Sequence, residues 1–137
     1  MSENLNLKNK LSKLAFEVTQ KASTEAAFSG KYNDFFEDGI YHCICCEEKL
    51  FSSEHKFISK SGWPSFFKAI NTDVIKYSED NTLGMKRVEV SCKKCKAHLG
   101  HVFDDGPLPT KKRYCINSVS LTFVKKWLII KKSSKNL

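Results

Sequence analysis

Residues 87–103 read Arg87-Val88-Glu89-Val90-Ser91-Cys92-Lys93-Lys94-Cys95-Lys96-Ala97-His98-Leu99-Gly100-His101-Val102-Phe103. Arg87 to Val90 alternates polar with apolar, the period of a half-buried strand. Cys92 and Cys95 then form a C-x-x-C turn, and His101 to Phe103 reads as a further strand. Outward from this stretch the same texture continues. Short aromatic or β-branched runs occur at Gly39–His42, Lys49–Phe51, Lys56–Ser59, Asp73–Tyr77, Lys86–Ser91 and Ile116–Val124, with Val119 to Phe123 alternating cleanly. Turn signals separate them, including Gly30 to Gly39 and the Asp104-Asp105-Gly106-Pro107-Leu108-Pro109 loop. This predicts an antiparallel β domain with helices confined to the start. Leu7, Leu11, Leu14 and Val18 share helical spacing and predict one short amphipathic helix, and Thr24-Glu25 could begin another.

The chain has 137 residues, enough for one self-supporting domain. We expect the domain over residues 1–124, with its core at about 16–124, and a basic tail over 125–137. The net charge of +8 is uneven: all 15 acidic residues lie at or before Asp105, and eight of the 23 Lys and Arg lie after it. Only two basic residues are arginine, which disfavours base-edge readout, so the basic end reads as a solvated tail and no nucleic acid is expected. No apolar run suits a membrane span or a secretory signal, and the expectation is a cytoplasmic protein that contacts no membrane.

Six cysteines carry most of the chemical information. Cys43-x-x-Cys46 and Cys92-x-x-Cys95 are two pairs separated by 45 residues. Each such turn points two sulfurs at one ion, and four thiolates close a tetrahedral Zn²⁺ shell with no open position. The zinc would be structural, one per chain. Cys45 is the alternative ligand to Cys46. A histidine of His98-Leu99-Gly100-His101 could also enter a mixed site, though with four spaced cysteines the histidines read as free to move protons near neutral pH.

Cys115 stands outside both pairs, in Arg113-Tyr114-Cys115-Ile116-Asn117-Ser118. On a strand, Arg113, Cys115 and Asn117 would share a face, where a guanidinium favours a thiolate and an amide can hold an oxygen. The bland alternative is a small buried thiol. Ser61-Gly62-Trp63-Pro64-Ser65-Phe66 forms a turn that presents the Trp63 indole, either as a core residue or as the wall of a pocket.

Taken in order, these segments resemble the B-type methionine sulfoxide reductases. The resemblance runs from Phe16 to Phe123 and rests on Thr24-Glu25, Phe28-Ser29-Gly30, Gly62-Trp63-Pro64-Ser65-Phe66, Arg87-Val88-Glu89-Val90, His98-Leu99-Gly100-His101-Val102-Phe103, Asp105-Gly106-Pro107 and Arg113-Tyr114-Cys115-Ile116-Asn117-Ser118. It implies two antiparallel sheets packed as a β-tent, short N-terminal helices and structural zinc at one edge. It also implies reduction of the R epimer of methionine sulfoxide in proteins or peptides, with thioredoxin or another thiol as reductant. Cys115 would attack the sulfoxide sulfur and become a sulfenic acid. His98, His101 and Asn117 would bind and protonate the oxygen, Arg113 would stabilise the thiolate, and Trp63, with Phe103 beside it, would hold the methyl group. The resemblance departs at two places. Ser61 stands where many members keep a recycling cysteine, leaving direct reduction by an external thiol or the use of Cys45. Lys111-Lys112 stands where members keep glycine and an apolar residue. A non-enzymatic zinc module contacting nucleic acid or protein through the basic end is the competing reading.

Overall fold

The computed structural model describes residues 2–126, with side chains from Asn6 onward. Two helices open the chain, α1 (Ser2–Lys10) and α2 (Lys13–Lys21), in place of the single expected helix. The break has a local cause: the Ser12 hydroxyl accepts from the Ala15 N–H at 3.1 Å, capping a new helix there. Helix α2 buries Ala15, Val18 and Thr19, whereas Leu14 points outward. No helix starts at Thr24-Glu25. Residues 22–38 run as turns and extended chain, and Glu25 is drawn into the interior.

Nine strands follow: β1 (Gly39–Cys43), β2 (Lys49–Ser52), β3 (Lys56–Phe57), β4 (Ser65–Phe66), β5 (Ile75–Asp80), β6 (Arg87–Cys92), β7 (His98–Phe103), β8 (Arg113–Ile116) and β9 (Leu121–Lys125). They form two antiparallel sheets, ordered β2-β1-β9 and β3-β4-β8-β7-β6-β5. The architecture is mainly β with short helices at the start, as the resemblance implies.

Several boundaries moved. Strand β7 begins at His98 rather than His101, and β4 follows directly on the Gly-Trp-Pro turn. The expected run over Ile116–Val124 is interrupted by a 3-10 turn at Ser118–Ser120. Pairing of Gly39 with Lys125 carries β9 into the first residue assigned to the tail, and the rest of that segment from residue 127 lies outside the described residues. No helix among the described residues is long and apolar enough to cross a membrane.

Aromatic packing joins the sheets. Phe51 of β2 stacks on Phe66 of β4 with centroids 4.5 Å apart, and Tyr41 of β1 meets Phe66 edge-on at 5.1 Å. All three rings are fully buried. Burying each contributes on the order of 1.5–3 kcal/mol, so this cluster fixes how the small sheet sits on the large one.

Candidate active site and metal centre

Strands β7 and β8 place the reactive candidates by register. His101 lies directly opposite Cys115, and Phe103 opposite Arg113. Cys115 also faces Ser65 of β4, and His101 faces Glu89 of β6, so one row crosses the large sheet as Ser65, Cys115, His101, Glu89. Partners in such a row project to the same side. Gly100 makes the close pairing possible, because a Cβ there would lie 2.0 Å from the Cys115 carbonyl oxygen.

His98 should not belong to this face, since residues three apart on a strand point to opposite sides. The register between β6 and β7 shifts at Val90/Ser91, pairing Ser91 with His98 where a regular ladder would pair it with Leu99. The extra residue turns His98 back to the side of His101. The two imidazoles pack edge to face at 5.6 Å.

Each imidazole is held by a carboxylate from the same sheet, Glu89 on the adjacent β6 and Asp80 on β5 beyond it. His98 Nδ1 lies 2.6 Å from Glu89 Oε2, and His101 Nε2 lies 2.7 Å from Asp80 Oδ2. His98 is only 4% exposed, and burial lowers its proton affinity despite the pull of Glu89. Its Nε2 is buried with no protein partner, so it is available to a ligand or water. The Asp80 carboxyl is held well below the usual carboxylate range, by the Thr82 hydroxyl first and then by His101; the Thr82 N–H and Arg87 act in the same direction. Neither Asp80 nor Glu89 was singled out in the sequence. Glu89 sits in the alternating strand, but nothing local marks Asp80.

The Cys115 thiol is half-buried, and desolvation raises its pKa. Ser61 and Arg113 act in the opposite direction without prevailing. Arg113 favours the thiolate by charge and hydrogen bond, but by less than burial opposes it. Its guanidinium is committed to Asp105, through Nε at 2.9 Å and Nη2 at 3.2 Å, which dilutes its field at the sulfur. The same guanidinium lies 4.4 Å from the Phe103 ring centroid. Ser61 Oγ is 3.9 Å from the Cys115 sulfur and is further bonded to Ser59 at 2.8 Å.

Asn117 follows directly on β8 with extended backbone. Strand β8 ends at Ile116, and the Asn117 side chain is buried in bonds to the 22–38 segment and to β7. Its Oδ1 accepts from the Glu25 N–H at 3.0 Å, and its Nδ2 donates to the Leu99 carbonyl at 3.0 Å. Glu25 is 2% exposed, and its Oε1 accepts from the Val119 N–H at 3.0 Å. Its carbonyl accepts from the Trp63 indole at 3.1 Å. Residue 25 therefore ties Trp63 and Asn117 to one backbone position, a connection between distant segments that no local pattern signals.

At the other end of β6 and β7 the two C-x-x-C turns meet. The sulfurs of Cys43, Cys46, Cys92 and Cys95 all lie within 4.8 Å of one another, with Cys43–Cys95 at 3.6 Å and Cys46–Cys92 at 3.5 Å. Four thiolates around an ion with bonds of about 2.3 Å stand about 3.8 Å apart, so the donor set and spacing fit a tetrahedral metal. Cys45 lies outside the four, with Gln20 Nε2 at 3.6 Å from its sulfur. Neither histidine enters the cluster.

Comparison with known proteins shows the family of the chain. A family model described as the SelR domain matches residues 11–125. The chain is 57% identical over 118 residues to "Peptide methionine sulfoxide reductase MsrB" of Thioalkalivibrio sulfidiphilus, covering 86% of each chain. It is 57% identical over 108 residues to the protein of the same name from Herminiimonas arsenicoxydans, covering 79% of each. It is 53% identical over 117 residues to "Methionine-R-sulfoxide reductase B3, mitochondrial" of Mus musculus, covering 85% of this chain and 46% of that one. The chain therefore belongs to the SelR-domain family of B-type methionine sulfoxide reductases.

Proposed function

We propose that this protein reduces the R epimer of methionine sulfoxide in polypeptides to methionine, with Cys115 as the nucleophile. The observation that carries this reading is the placement of Cys115 opposite His101 on a face that also holds His98. The Cys115 sulfur attacks the sulfoxide sulfur while a proton from the histidine pair goes to the sulfoxide oxygen. That oxygen passes to Cys115 as a sulfenic acid; the substrate sulfur gains two electrons and the thiol sulfur loses two. His98, with its unpartnered Nε2, suits the oxygen, while Asp80 and Glu89 hold the two rings. Trp63, with Phe103, forms the apolar wall for the methyl group. Asn117, its amide occupied by Glu25 and Leu99, acts as a positioning residue for the β7–β8 junction.

The four-cysteine cluster is assigned to one zinc ion per chain. Four thiolates saturate it, so it supplies folding energy and no catalytic water. Such a site suits a reducing compartment, which supports the cytoplasm.

Regeneration is assigned to an external thiol, thioredoxin or another. A first thiol displaces water from the sulfenic acid to give a mixed disulfide, and a second thiol releases Cys115. Ser61 has no sulfur to offer. Cys45 lines a pocket with Gln20, Cys46 and Cys95 at the cysteine cluster, and neither Cys115 nor the two histidines line it.

Assay of the two epimers of a blocked methionine sulfoxide with dithiothreitol tests the reading. We expect turnover of the R form alone. Turnover of the S form, or of neither, would reject it.

A further inference from the structure

We propose that the apolar cavity beside Trp63 is a subsite for one large apolar side chain of the substrate polypeptide, next to the oxidised methionine; this rests on the reductase reading above. Phe28, Phe36, Phe57, Ile58 and Trp63 line a cavity of about 260 Å³. Small-molecule sites start near 300 Å³, so this one suits a single side chain rather than a free ligand. Two of its walls are costly to leave in water: Phe28 is 68% exposed and Ile58 75%. Clustered exposure of large apolar groups marks a contact surface.

The backbone holds this surface in place. Phe28 sits in the left-handed region at φ 65°, and its N–H donates to the Gly62 carbonyl at 2.7 Å. Strain of this kind at an exposed ring persists only where the surroundings enforce it. The cavity shares residues with the surroundings of the reacting centre. Trp63 lines it, and so does Ser59, which bonds Ser61, whose hydroxyl is 3.9 Å from the Cys115 sulfur. An extended chain advances about 3.3 Å per residue, so a side chain one or two positions from the oxidised methionine reaches it. The charges on the lining, Asp34 and Lys60, are opposite in sign, which leaves apolar contact as the main recognition.

The test uses five-residue blocked peptides with methionine-R-sulfoxide at the centre and glycine elsewhere, each glycine replaced in turn by phenylalanine. Wild-type protein should show about tenfold higher kcat/KM for phenylalanine at one position, the size expected for burying one large side chain. Phe28→Ser combined with Ile58→Ser should abolish that preference and leave the rate on blocked single-residue methionine-R-sulfoxide unchanged. Equal rates for all peptides with wild-type protein would overturn the proposal. So would a loss in the variant on the single-residue substrate as well, or a preference that survives in it. A change of oligomeric state in the variant would make the patch a self-association surface and would also overturn it. Failure of wild-type protein on the single-residue substrate would instead sink the underlying reductase reading.

Discussion

The Ser61 hydroxyl lies 3.9 Å from the Cys115 sulfur, with its other contacts to Ser59, to Ser65 and to the Trp63 backbone. A sulfur at position 61 would stand beside the Cys115 sulfur. Ser61→Cys should therefore convert the protein from one that stops at a sulfenic acid to one that closes a disulfide. After one turnover without reductant, mass spectrometry of thiol-blocked peptides should show residues 61 and 115 linked in the variant. In wild-type protein Cys115 should be oxidised with no disulfide partner. A wild-type disulfide between Cys45 and Cys115 would contradict direct recycling.

Burial lifts the Cys115 pKa, and Ser61 and Arg113 oppose that lift. A raised pKa means that the thiol form predominates at neutral pH and that the thiolate appears only as pH rises. Alkylation of Cys115, followed site by site by peptide mass spectrometry, should have its midpoint above that of an ordinary free cysteine. Arg113→Gln should move the midpoint further up. A midpoint below the ordinary value in wild-type protein would show that charge outweighs desolvation.

Asp80 holds His101 at 2.7 Å and is itself held by Arg87 and Thr82. Its carboxyl is kept below the usual range, so the contact persists through neutral and mildly acid pH and is lost only as pH falls through that lowered value. Asp80→Asn should reduce kcat by about tenfold or more with little change in KM, because the ring that moves the proton loses its holder. Asp80→Glu should recover part of the loss. Steady-state kinetics on blocked methionine-R-sulfoxide would separate this from a folding defect, which would lower active protein without that rescue.

The cysteine cluster pins the β1–β2 turn to the β6–β7 turn. Cys46→Ser should lower metal content below one per chain and lower the Tm by several degrees, while residual activity persists in the folded fraction. Elemental analysis with thermal denaturation checks both effects. Full metal content in that variant would mean that Cys45 substitutes as ligand.

These features were unequally legible in the sequence. The thiolate cluster was readable because C-x-x-C turns are local and their chemistry is specific, whatever the 45 intervening residues do. The alternation at Arg87 to Val90 likewise gave β6 directly. His98 and His101 could be named but not placed: a regular strand would set them on opposite faces, and the bulge at Val90/Ser91 is a property of pairing between strands. The roles of Asp80 and Glu25 arise from contacts with residues 21 and 94 positions away, respectively, which leave no local pattern. The bonds of Asn117 to Glu25 and Leu99 join segments 92 and 18 positions away, which the alternation of β8 does not signal. The departure at Lys111 gains a physical meaning. Its φ of 61° lies in the left-handed region that favours the glycine expected from the resemblance.

The most direct measurement is a single turnover without reductant, followed by mass analysis of the peptide that carries Cys115. Incubation with methionine-R-sulfoxide should yield one methionine per chain and one added oxygen on Cys115, and Cys115→Ser should yield neither. Methionine formation by Cys115→Ser, or oxygen appearing on another cysteine in wild-type protein, would contradict the assignment of Cys115 as the nucleophile.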